Sequence, residues 1–144
     1  KREGEALAKD MRQRLKKIEE LTKEVEAVAP QMTQAYRDKI RTRIQQLMDA
    51  PVPDQDRLEE EIALHAEKTD VTEECVRLRS HIVEYRRTVG LKEPVGKRLN
   101  FILQEMNREA NTIASKTSLP EIASTVISIK EEIERLREQV QNVE

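Results

Sequence analysis

The chain has 144 residues, 38% charged and 37% hydrophobic, with three glycines, one phenylalanine and a net charge of −2. So little bulky apolar mass excludes a thick multilayered core, and so few glycines exclude a turn-rich β protein. The charge balance excludes a chain that is cationic throughout, and a single cysteine, Cys75, excludes an internal disulfide framework.

What remains is a thin assembly of long helices, each burying one stripe. The apolar residues are periodic, which disorder does not require. The first predicted helix runs from about Arg2 to Ala29, with Leu7, Met11, Leu15, Ile18, Leu21, Val25 and Val28 stepping by three and four. Pro30 is expected to end or kink it. A second helix, from about Gln31 to Met48, carries Met32, Tyr36, Ile40, Ile44 and Leu47. The two prolines in Asp49–Asp54 make the clearest break in the chain. A third helix follows from about Gln55 to Lys68.

Asp70 is placed to cap a fourth helix, Val71 to Val89, with Glu73 as its capping-box partner. That helix carries Val71, Cys75, Leu78, Ile82, Tyr85 and Val89, and Gly90 is placed to stop it. A fifth helix, about Val95 to Ser115, buries Leu99, Ile102, Leu103, Met106, Ala110 and Ile113. Ser118-Leu-Pro-Glu121 reads as a second capping box. The sixth helix repeats Ile122, Val126, Ile129, Ile133, Leu136, Val140 and Val143 every seven residues, so it packs along its whole length. The expected fold is all-α, an elongated set of antiparallel helical hairpins or a coiled-coil bundle. Residues 1–50 are expected to form an N-terminal hairpin and residues 51–144 a second helical domain. The chain begins at Lys1 already in helical pattern and is read as a piece of a longer protein.

Charge is segregated. Asp54 to Glu74 holds nine acids against two bases, and Arg77 to Arg98 holds seven bases against two acids. The acidic run can hold a divalent cation and the basic run a phosphate backbone. Equally, both suit the helix dipoles and solubility. In the fourth helix, His81 falls beside the buried stripe, on the edge that carries Glu74, Arg77 and Tyr85. Such a His can move protons, bind metal, or simply pack against Tyr85. His65, one turn after Glu61, has the weaker claim.

The exposed face of the fifth helix carries Lys97, Gln104, Arg108, Asn111 and Ser115. Glu105, Glu109 and Arg98 lie on one flank, and Asn100 and Asn107 on the other. Asparagine is a poor choice for an idle helix face, because it competes for backbone hydrogen bonds. Amides and guanidinium groups there suit phosphate, sugar or base edges, or an amide-rich helix contact.

Val95-Gly-Lys-Arg-Leu-Asn-Phe-Ile-Leu-Gln-Glu-Met-Asn-Arg-Glu-Ala-Asn-Thr-Ile-Ala-Ser-Lys116 resembles the signature of the YicC/YloC family of bacterial endoribonucleases. So do Asp70-Val-Thr-Glu-Glu-Cys-Val-Arg-Leu-Arg-Ser-His81 and the ending Leu136-Arg-Glu-Gln-Val-Gln-Asn-Val-Glu144. The resemblance implies a C-terminal helical region whose N-terminal domain is absent here. It further implies cleavage of RNA, a divalent metal (Mn²⁺ or Mg²⁺), homo-oligomers (hexamers in the family), a bacterial cytoplasmic location and the older label of stress-induced protein. It points to Glu73, Glu74, Arg77 and His81, and to Lys97, Arg98, Glu105, Asn107, Arg108, Glu109 and Asn111; among these, His81, Glu105, Arg108 and Glu109 are the expected catalytic residues. Arg77, Lys97, Arg98, Gln104, Asn107 and Asn111 are the expected RNA contacts, and Glu74, Glu105 and Glu109 the expected metal ligands. His65 stands where an aliphatic residue is usual, and Cys75 in a hydrophobic slot. The competing expectations are a non-enzymatic oligomerisation scaffold and an adaptor that binds RNA without cutting it.

Overall fold

The computed structural model describes residues 2–143, with side chains for 4–142, and is all-α. Five helices follow in chain order: α1 (Arg2–Leu47), α2 (Gln55–Glu67), α3 (Thr72–Val89), α4 (Gly96–Lys116) and α5 (Pro120–Val143).

Pro30 does not break the first helix. Residues 2–47 form one helix of 46 residues with the proline inside it, in place of the expected hairpin. The reason is packing on both sides of the proline. Val25 and Ala29 before it and Met32 after it are buried in one core. Ending the helix at Pro30 would expose them, and the lost hydrogen bond costs less than that.

The N-terminal part of α1, with α3, α4 and α5, forms an antiparallel four-helix bundle. Asp10 meets Gln139 and Arg14 meets Glu132 across α1 and α5. Glu19 meets Arg86 and Glu26 meets Arg79 across α1 and α3. In each case low numbers on one helix pair with high numbers on the other. The shared core is the one read from the periodicity: Met11 to Met32 of α1, Cys75 to Tyr85 of α3, Leu99 to Ile113 of α4 and Ile122 to Val140 of α5. Leu7, Val28 and Val89 sit at its margin. The Val143 side chain lies outside the described residues. This core runs across residue 50, because α1 contributes to it directly.

Beyond Met32, α1 leaves the bundle and pairs only with α2. The resulting two-helix arm buries Ile62 and Ala66 and is clamped by Arg41, whose guanidinium grips both oxygens of Glu59 at 2.9 and 2.7 Å. One partner helix covers little. Tyr36, Ile40 and Ile44 are half-buried, and Leu47 is 76% exposed.

The helix starts differ in detail from expectation. Asp54 caps α2 by accepting from the Arg57 N–H. Asp70 Oδ1 accepts from the Thr72 hydroxyl at 2.6 Å and the Thr72 N–H at 2.9 Å. Glu73 does not close the expected capping box; it turns to Arg77. Before α5, the hydroxyl that accepts a backbone N–H belongs to Thr117, not Ser118.

The bonds from Thr72 hold the Asp70 carboxyl below its ordinary value. A depressed pKa stabilises the fold above the unfolded value and loses that contribution as pH falls through the folded one. Asp70→Ala is therefore expected to cost about 1 kcal/mol at neutral pH. Urea titrations should show the gap to wild type shrinking below about pH 4.

Candidate RNA-binding face and α3–α4 seam

The site residues lie on two neighbouring strips of one side of the bundle. The first is the seam between α3 and α4. Glu74 Oε2 accepts from Lys116 Nζ at 2.8 Å. The same ammonium reaches the Asp70 carbonyl at 3.1 Å, tying the α2–α3 junction to the end of α4. Glu109 Oε1 accepts from Arg77 Nε at 3.0 Å, and Arg77 Nη2 lies 3.6 Å from Glu74. Both carboxylates are buried, Glu74 at 4% and Glu109 at 7% exposure, and both cations keep a path to water. A buried carboxylate needs such a partner.

These pairs fix the register of the seam. Four residues beyond Arg77 on the same edge of α3 is His81, which is half-buried. Four residues before Glu109 on the same edge of α4 is Glu105, also half-buried. The antiparallel register sets the two at matching heights, and no hydrogen bond joins them.

The second strip is the outward face of α4. Lys97, Gln104, Arg108, Asn111 and Ser115 are all exposed, as expected. Gln104, Asn107, Arg108, Asn111, Thr112 and Ser115 line one shallow, open hollow. Lys97, Arg98 and Arg108 form no ion pair among the described residues, whereas Arg77 and Lys116 on the seam are fully engaged. At about 100° per residue, Glu105 lies only about 60° around α4 from Arg108. His81, Glu105 and Arg108 thus stand on adjoining strips.

The expected metal ligands do not make a set. Glu74 and Glu109 are held by Lys116 and Arg77, and the Arg77 guanidinium stands between them. Among the described residues, no three His, Cys, Asp or Glu side chains converge closely enough to hold a metal ion. The residues present therefore do not fit the Mg²⁺ or Mn²⁺ site expected of this chain. The two carboxylates brace the seam instead. Arg77, expected to contact RNA, is committed to them.

Cys75 is buried, and burial pushes its thiol up to about 12, which removes it as a nucleophile. Tyr85 is fully buried, its hydroxyl has no hydrogen-bond partner among the described residues, and burial raises its pKa well above the ordinary value. Neither group can serve the chemistry of an exposed site. His65 is exposed on α2, away from both strips.

One functional candidate escaped the sequence reading. Phe101, the chain's single phenylalanine, is 61% exposed on α4. The signal was available: it falls opposite the stripe of Leu99, Ile102, Leu103 and Met106.

No helix among the described residues is long and apolar enough to cross a membrane. Comparison with known proteins supplies the lineage. The family model of the C-terminal region of YicC-like endoribonucleases matches residues 25–144. A probable endoribonuclease YicC of Clostridioides difficile is 40% identical over 143 residues, covering 99% of this chain and 49% of that protein. A probable endoribonuclease YicC of Haemophilus influenzae is 38% identical over 144 residues, with the same shares covered. The chain thus spans about half the length of the curated relatives it matches. By the family-model match over residues 25–144 and the Clostridioides difficile relative's match over 99% of this chain, the chain belongs to the YicC-like endoribonuclease family, as its C-terminal helical region.

Proposed function

We propose that this chain is the RNA-holding part of a bacterial cytoplasmic endoribonuclease and that the outward face of α4 grips the RNA backbone. The observation that carries the reading is the strip itself. It presents exposed Lys97 and Arg108, without an ion pair among the described residues, with Arg98 on its flank, among the amides of Gln104, Asn107 and Asn111. Glu105 borders it on the flank that carries Arg98. Guanidinium and ammonium groups neutralise phosphates, and amides reach sugar hydroxyls and base edges.

In this reading His81 and Glu105, at the adjoining seam, pass a proton to or from a phosphodiester held by Arg108. Glu74 and Glu109 have a different role from the one first expected of them. Paired with Lys116 and Arg77, they set the register that puts His81 beside α4. The relatives, probable endoribonucleases, support cleavage of RNA by the whole protein. A divalent ion enters as a variable of the assay, because Glu74 and Glu109 are already paired with Lys116 and Arg77.

The test uses the full-length protein. Arg108→Ala should weaken binding to a short single-stranded RNA and lower the slope of affinity against salt by about one phosphate contact. His81→Ala should slow cleavage and leave binding in place. Both should be measured with added Mn²⁺ and with chelator. If wild type and both variants bind and cut alike, the site is elsewhere.

The scaffold reading has one observation in its favour. The α1–α2 arm exposes Leu47, Met48 and Leu64, apolar area that a second copy would cover. Homo-oligomerisation through the arm is compatible with RNA binding on α4. A scaffold alone would bind RNA no better with Arg108 than without it.

A further inference from the structure

Phe101 is the feature that the reading above leaves unused. It sits on the same exposed strip as the proposed RNA contacts. Lys97, Phe101, Gln104, Arg108, Asn111 and Ser115 follow one another at steps of three and four, within an arc of about 80°. All six are exposed. A large aromatic ring at 61% exposure is costly for a helix face that only meets water. The core does not use it: Leu99, Ile102, Leu103 and Met106 around it are all buried on the other side.

Its neighbours say what can lie on it. Lys97 is one turn before it, about 6 Å along the axis, and Arg108 is about 10 Å beyond it. Neither cation has an ion-pair partner among the described residues. The hollow lined by Gln104, Asn107, Arg108, Asn111, Thr112 and Ser115 begins one turn past the ring. A cation on each side, a ring between them and amides beyond match a single strand whose phosphates track the cations and whose base lies on the ring. A duplex cannot use such a platform, because its bases are stacked on each other and paired.

Resting on the reading of α4 as the RNA-holding face, we infer that Phe101 is a base-stacking platform and that the face selects single-stranded, unstacked RNA. The ring gives affinity without strong sequence choice, since every base has a face to stack. The amides of Gln104 and Asn111 supply whatever discrimination exists.

The experiment compares wild type, Phe101→Ala, Phe101→Trp and Arg108→Ala in the full-length protein, by anisotropy. The ligands are a single-stranded RNA, a duplex carrying the same number of phosphates, and a single strand with abasic sites at its centre. Phe101→Ala should weaken single-strand binding on the order of 10-fold and leave duplex and abasic binding unchanged. Phe101→Trp should keep the affinity. It also adds an indole to a region with no tryptophan of its own, read as the difference from the emission of the wild-type full-length protein. Emission should be quenched by the single strand and not by the abasic one. Circular dichroism checks that these exposed substitutions leave the fold intact.

Loss of binding in Arg108→Ala with none in Phe101→Ala would overturn the stacking inference alone. Unchanged binding in both would remove the parent reading with it. Equal weakening toward all three ligands would mean that the ring only shapes the helix face. If Phe101→Ala changes no RNA affinity but dissociates an oligomer in sedimentation, the strip is a protein contact, and the inference fails.

Discussion

Lys116→Ala is expected to destabilise the protein by about 2–3 kcal/mol, whereas Glu74→Met is expected to leave stability within about 1 kcal/mol of wild type. The asymmetry follows from burial. Glu74 lies almost wholly inside the α3–α4 seam, with one oxygen 2.8 Å from the Lys116 ammonium and the other, Oε1, buried without a partner among the described residues. Removing the lysine strands a charge where water cannot reach it. Removing the carboxylate in favour of a side chain of similar length strands nothing, since the lysine reaches solvent. The loss is set below the upper range for buried pairs for two reasons. Lys116 is 30% exposed, and Arg77 still stands 3.6 Å from Glu74. The double variant should recover most of what Lys116→Ala loses, giving a coupling free energy that denaturant titrations can resolve. If Lys116→Ala costs nothing, water enters the seam freely and the pair does not set its register. In that case RNA binding on α4 should also be indifferent to Glu74.

That seam marks where sequence reading stopped. The bundle itself was legible, because burial repeats along each helix. Leu99, Ile102, Leu103, Met106, Ala110 and Ile113 fall on one face of α4, and all six are buried. Local polarity was legible too, so the exposed strip of Lys97, Gln104, Arg108 and Asn111 appeared where its period put it. Pairing across helices was not. Glu105 and Glu109 stand one turn apart and read as joint ligands. The residue that claims Glu109 is Arg77, 32 positions away, and nothing local announces it. The same holds for Glu74 and Lys116, 42 positions apart. Phe101 was overlooked for another reason. A lone apolar residue on a polar helix face carries no period of its own, so the stripe of Leu99, Ile102, Leu103 and Met106 does not announce it. Pro30 misled because its local rule is strong, and only the buried residues on both sides show why the helix continues.

Pro30→Ala is expected to stabilise the protein by about 2 kcal/mol. Proline in a helix interior costs up to about 3 kcal/mol relative to alanine, from the missing N–H and the crowding of the preceding turn. Here the ring is exposed, so its removal opens no cavity in the core. Alanine would restore the hydrogen bond to the Glu26 carbonyl. The predicted gain is kept below the full helix-interior difference because the site is open. Glu26, Ala29, Pro30, Thr33, Asp70, Thr72 and Cys75 border a hollow there, through which water can already satisfy that carbonyl. The position matters beyond stability. Pro30 marks where α1 passes from the bundle to the arm, with Met32 the last α1 residue in the core and Arg41 clamping Glu59 beyond it. Thermal or urea unfolding reads the gain, and amide exchange in α2 reads the arm. A higher midpoint with slower exchange in α2 would show the proline to be a tolerated cost. A lower midpoint with faster exchange in Gln55–Glu67 would overturn the expected gain. It would mean that the path of α1 through Pro30 is what delivers the arm to α2.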